Sequence, residues 1–147
     1  VFSESEVHSR YEIKLENYVK VINIEAQTAS DIARRMILPA AIEYSKEIAK
    51  EAEMKKAVAP IIPLDTEIAL LTKLSTESAE LAAAIDTLDK AIAGQDSGAE
   101  MLTEATYTRD SILAAMAEVR KHADALEVLV AKKYWPMPTY QDLLLYV

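Results

Sequence analysis

Glycine and proline are where a helical chain is forced to turn, and this chain has two glycines and five prolines in 147 residues. They are grouped. Pro60 and Pro63 bracket "APIIPLD", Gly94 and Gly98 fall in "AGQDSGAE", and Pro136 and Pro138 sit in the closing "KKYWPMPTYQDLLLYV". Only Pro39 stands alone, inside an otherwise helical pattern. With three places to break, the chain is expected to form a few very long helices.

The apolar spacing agrees. Ser3 and Glu6 have the separation of a capping box, which satisfies free amides at a helix start. From there Tyr11, Leu15, Tyr18, Ile22, Ala29, Ile32, Met36, Ala40, Tyr44 and Ile48 recur nearly always three or four apart, predicting a first helix over about 5–55. Pro39 removes the amide that would reach the carbonyl of Arg35, so either a kink or two helices meeting at Leu38 is expected there. A second helix is expected over about 65–93, with Asp65 as its N-cap and a stripe of Ile68, Leu71, Leu74, Ser78, Leu81, Ile85, Leu88 and Ile92. A third, over about 98–133, opens on a Ser97–Glu100 capping box. Its seam is Leu102, Ala105, Arg109, Ile112, Met116, Val119, Ala123, Leu126 and Val130.

Such seams pack antiparallel neighbours at shallow angles, and short connections favour that order. The expected fold is all-α: one domain over 1–147, an elongated up-down bundle of three long helices, the first kinked at Pro39. A short aromatic tail or helical turn at about 140–145 completes it. Nothing alternates with the period of a strand.

Composition removes several function classes. A net charge of −8 disfavours nucleic acid and anionic membrane surfaces, because phosphate contacts need clustered Lys and Arg. No cysteine is present, which excludes disulfides and thiolate metal sites and fits a cytoplasmic location. No apolar run is long enough to span a bilayer. The opening "VFSESEV" has no initiator Met, so the chain is expected to be a piece of a longer polypeptide.

Catalytic and metal motifs fail one by one. Bundles can hold metals through Glu-x-x-His pairs, and the chain has none. His122 follows Glu118 by four residues and His8 lies between Glu4 and Glu12, but solvated charged faces account for both. There is no nucleophile elbow. "AGQDSGAE" has the glycines of a phosphate loop without its Lys or a leading strand, and Asp96 and Glu100 would repel an anion there. It reads as a surface turn. The expected catalytic, cofactor and metal residues are therefore none.

The residues singled out for packing or docking are Trp135, Tyr134, Tyr140 and Arg109. Arg109 interrupts an apolar seam. It must snorkel to water, pair with a carboxylate within the bundle, or meet another domain, and Asp110 beside it is expected to point elsewhere. The first helix also carries Ile13, Val21 and Ile24 off its main stripe, more apolar surface than a small bundle covers. In the tail, Pro136 and Pro138 stop the third helix, and Thr139 caps the following turn. The aromatic segment reads as a strap over the chain's own bundle rather than a ligand site.

The stretches "HSRYEIKLENYVKVINIEA" (8–26), "ILPA" (37–40), "RDSILAAM" (109–116) and "KKYWPMPTYQDLL" (132–144) resemble the C-terminal region of type III glutamine synthetases. The resemblance spans essentially the whole chain and is strongest at its two ends. It implies a parent enzyme that joins ammonia to glutamate through a γ-glutamyl phosphate, using ATP and a divalent metal, Mg or Mn. It also implies a homo-oligomer of stacked hexameric rings, with this chain docked on the upstream catalytic core of the same polypeptide. The family's catalytic motifs have no matching position here, so no catalytic, metal or nucleotide residue is carried over. The expected role is non-catalytic, structural or in assembly. The alternative is a freestanding acidic helical adaptor whose seams bind partner helices.

Overall fold

The computed structural model describes residues 2–96 and 98–145, without the side chains of residues 140 and 141. Among the described residues there is no strand. The elements are α1 (Glu4–Ile32), a π-helical turn π1 (Ala33–Ile37), α2 (Leu38–Val58), α3 (Asp65–Ala93), α4 (Met101–Tyr107), a second π-helical turn π2 (Thr108–Ile112), α5 (Leu113–Leu129) and α6 (Tyr140–Leu145).

The all-helical expectation holds, while the count of three long helices is corrected. Only α1 and α3 are long, at 29 residues each. The first expected helix is divided between α1 and α2, and the third between α4 and α5, by a π turn in each case. Neither π turn breaks the helical path. At π1 the amide of Leu38 bonds to the carbonyl of Ala33, five residues back. This widened turn lies immediately before Pro39, where the missing amide removes a bond in any case, so helical backbone continues through the proline.

Helix ends follow local chemistry. Ser3 caps α1 as expected: its hydroxyl accepts the Glu6 amide at 3.3 Å while the Glu6 carboxylate accepts the Ser3 amide at 2.9 Å. Leu64, not Asp65, is the N-cap of α3, and Asp65 instead places its charge in the positive first turn. Ser97 lies outside the described residues, and the third helical segment begins at Met101 rather than 98. It ends at Leu129, short of 133, because Val130 adopts extended geometry (φ −78°, ψ 130°) and Lys132–Tyr134 form a turn. The chain must become extended ahead of Pro136, and burying Val130 fixes where it does so.

Cross-helix pairs give the directions. Lys55 meets Glu67 at one end of α2–α3, and Ser30 meets Asp89 at the other, so α3 runs antiparallel to α1–α2. His122 meets Glu77 and Tyr107 reaches the carbonyl of Ala91, so α3 is also antiparallel to α4–α5. α3 is thus the shared wall of the core. Its Leu74, Leu81, Ile85 and Leu88 face Ala26, Ala33, Ile37, Ala41 and Ile48 on one side and Ile112, Ala115, Val119 and Leu126 on the other. The alanines let the helix backbones approach closely, and each enclosed Leu or Ile contributes on the order of 2 kcal/mol. Gly94, at the end of α3, lies under the Tyr107 side chain. A Cβ at Gly94 would stand 2.9 Å from the Tyr107 hydroxyl, inside van der Waals contact.

Candidate functional site

The tail is built as a strap. After Val130 a turn closes with the Tyr134 amide on the carbonyl of Ala131, which delivers Tyr134 and Trp135 onto the core beside α2. The Tyr134 ring tilts against Tyr44 at 5.3 Å between centroids, a geometry aromatic pairs favour. Trp135 is half-buried, and its Nε1 is enclosed without a hydrogen-bond partner among the described residues. The segment then reaches α6, where Thr139 and Asp142 cap each other. The Thr139 hydroxyl donates to the Asp142 carboxylate at 2.8 Å and accepts the Asp142 amide at 3.3 Å. Lys132 adds an ion pair to the same carboxylate at 2.5 Å, and this contact, foremost, holds Asp142 down at about 2. Tyr140 opens α6, and its side chain lies outside the described residues.

Arg109 is not in the seam. The π2 turn adds a residue to one helical turn, so buried Thr108 takes the core position between Ala105 and Ile112 and Arg109 rotates to the surface. There it forms a two-pronged pair with Asp110, at 2.6 and 2.9 Å, the residue expected to point elsewhere. This pairing raises Arg109 and lowers Asp110 from their ordinary pKa values. Thr108 is satisfied in the core: its hydroxyl donates to the carbonyl of Glu104 at 2.9 Å and accepts from Gln95 at 3.1 Å.

His122 departs from the solvated-face expectation. It is half-buried between α3 and α5, with Nδ1 2.9 Å from a Glu77 carboxylate oxygen and Nε2 3.9 Å from Glu118. Lys121, 2.9 Å from Glu118, keeps that carboxylate below its ordinary pKa. The sequence did hold a signal for this pair. Glu77 precedes Ser78 and His122 precedes Ala123, both seam residues of the interface between the same two helices. His8 behaves as expected, exposed and 3.6 Å from Glu12. Arg34 joins Asp89 and lies 3.5 Å from Asp86, tying α1–π1 to α3 beside the 2.6 Å bond from Ser30 to Asp89.

These arrangements hold helices together and offer little to a substrate. Among the described residues no cluster of three His, Asp or Glu side chains could hold a metal ion. No described helix is long and apolar enough to cross a membrane. In "AGQDSGAE", the Gly98 amide bonds to Asp96 at 3.0 Å, and Ser97 lies outside the described residues. An apolar depression of about 470 Å³ lies between α1–π1 and α5 and is lined by Ile32, Ile37, Leu113, Met116 and Val119 among alanines. It has no array of polar groups to orient a reacting molecule.

Residues 1–56, which cover α1, π1 and nearly all of α2, match the glutamine synthetase C-terminal domain. Over 98% of its length the chain is 35% identical to a glutamine synthetase of Butyrivibrio fibrisolvens and 30% identical to the type-3 glutamine synthetase of Dictyostelium discoideum. It is 26% identical to a glutamine synthetase of Bacteroides fragilis. The match falls in the C-terminal part of those proteins and spans about a fifth of their length, 21% and 20% for the first two. The resemblance read from the terminal motifs is therefore found along nearly the whole chain.

Proposed function

We propose that this chain is the non-catalytic C-terminal helical domain of a type III glutamine synthetase, an elongated up-down bundle that completes the subunit and serves its assembly. The observation that carries this reading is likeness over 98% of the chain to enzymes about five times its length. That likeness coincides with a structure in which the polar clusters among the described residues tie helices together, cap the strap or pair at the surface. In the parent, ligation of ammonia to glutamate with ATP and Mg or Mn takes place in the segments before this one, in the cytoplasm. The subunits form stacked hexameric rings. This domain supplies packing surface and no reacting group.

The coding sequence upstream of Val1 tests the proposal directly. A ligase core in frame supports it, and a start codon at Val1 with no such core overturns it. A second measurement follows from the missing chemistry. Glutamine formation should require the complete polypeptide, and turnover by residues 1–147 alone would refute the non-catalytic assignment. The freestanding adaptor reading rests on the apolar depression between α1–π1 and α5, which has room for side chains of a partner helix. The same upstream sequence decides between the two.

A further inference from the structure

We infer that the outer face of α1, carrying Ile13, Val21 and Ile24, is the surface on which the preceding part of the polypeptide docks. This rests on the parent reading above and adds which side of the bundle faces the core. Residues 4–14 of α1 are exposed all round, and the first enclosed side chain is Val19, so the first turns form an arm that packs little against the bundle. The arm does not need the bundle to be helical. The Ser3–Glu6 capping box starts it, Arg10 lies over the Phe2 ring at 4.3 Å, and Lys20 pairs with Glu16 at 2.6 Å.

At about 100° per residue, Ile13, Val21 and Ile24 fall on the side opposite Val19, Ile22 and Ala26, which pack inward. Their exposures are 60%, 41% and 65%. Apolar side chains left open in a row along one helix mark a contact face. The same count puts Arg10 on this outer face and Lys14 at its edge, with Glu6 in line with Ile24 and Arg10 over the Phe2 ring. The complementary surface is therefore apolar, with carboxylates along the one edge that meets Arg10 and Lys14. Its source follows from position. The relatives are about five times longer and match in their C-terminal part, so the missing chain enters at residue 1, next to this arm.

The test uses the full-length polypeptide. Carbene footprinting read by mass spectrometry should label Ile13, Val21 and Ile24 several-fold less than Val128 and Ile61, which are 86% and 91% exposed on other elements. Carbodiimide coupling should join Lys14 to an Asp or Glu upstream of residue 1. Replacing Ile13 and Ile24 by Glu should restore labelling along the arm and abolish that coupling, while V128E leaves both unchanged. Labelling of Ile13 and Ile24 equal to that of Val128 would overturn the inference. So would coupling of Lys14 only to carboxylates of a second copy of residues 1–147. A ligase core that is present upstream but leaves the arm labelled defeats this inference alone. Absence of the core defeats the parent reading.

Discussion

Thr108 occupies the place that a count of threes and fours assigns to Arg109, and the two positions should respond to mutation in opposite measure. Thr108 is enclosed and both donates and accepts a hydrogen bond. Thr108→Val keeps the shape but leaves the Gln95 amide short of an acceptor, at a cost of about 1 kcal/mol. Arg109→Ala removes an exposed pair with Asp110 and should change stability by less than about 0.5 kcal/mol. Urea denaturation of the two variants checks this, and a larger loss at Arg109 would mean that the seam had been assigned correctly from sequence. Trp135 is a third case. Trp135→Ala should cost about 2 kcal/mol, less than the ~3–5 kcal/mol of a fully enclosed ring, because its ring is only half-buried on the core. The apolar identity of these positions was readable from spacing. The one-residue rotation at 108–109 was not, because it depends on a π turn with no compositional mark.

At the level of elements, the caps at the two ends of the chain were legible, while the Asp65 cap and the interruptions were not. A capping box is a local pattern of two side chains, so Ser3–Glu6 at α1 and Thr139 at α6 could be anticipated from their own few residues. A π turn reflects how a whole helix keeps its apolar stripe in register with a neighbour, and neighbours are not written in the segment itself. At π1 the proline gave half the signal, pointing to Leu38 as a boundary while the widened turn lies just before it.

The α6 cap carries a pH prediction. Asp142 is lowered from 3.8 to about 2, first by Lys132 and then by the Thr139 amide and hydroxyl. A carboxyl depressed on folding contributes fully above its unfolded value and loses that contribution as pH falls through the folded one. The cap should therefore persist at pH 5 and fade between about pH 4 and pH 2. Amide NMR of Thr139 and Leu143 would follow it, and Asp142→Asn should remove the transition. At the other end, Lys55 is pushed up to about 12 by Glu51 and Glu67. Its contribution is complete below the ordinary Lys range and is lost only as pH rises toward 12.

For the molecule as a whole, α3 decides whether the bundle melts as one unit. It supplies the wall shared by α1–α2 and by α4–α5, and the strap with Trp135 lies over the same core. Sequence reading reached the order of the elements because the breaks sit at proline and glycine. It did not reach the closed packing, in which α1–π1 also touches α4–α5 directly, since each helix shows a comparable stripe and only packing sets which faces meet. Leu81 is fully enclosed in that wall. Leu81→Ala should cost about 3 kcal/mol. For a chain of this length that corresponds to a fall of roughly 10 °C in Tm. The fall should be the same by far-UV circular dichroism, which follows every helix, and by fluorescence of Trp135, which follows the strap alone. Coincidence of the two transitions is what a single shared wall requires. A Trp135 transition that stays at the wild-type temperature while helicity melts earlier would show the strap and α2 folding apart from α3–α5, and the shared-wall account would fail. The arm supplies an internal contrast. With the residues before Val19 contributing little to the core, amides of residues 5–14 should exchange quickly in both proteins, because opening the arm does not require opening the bundle.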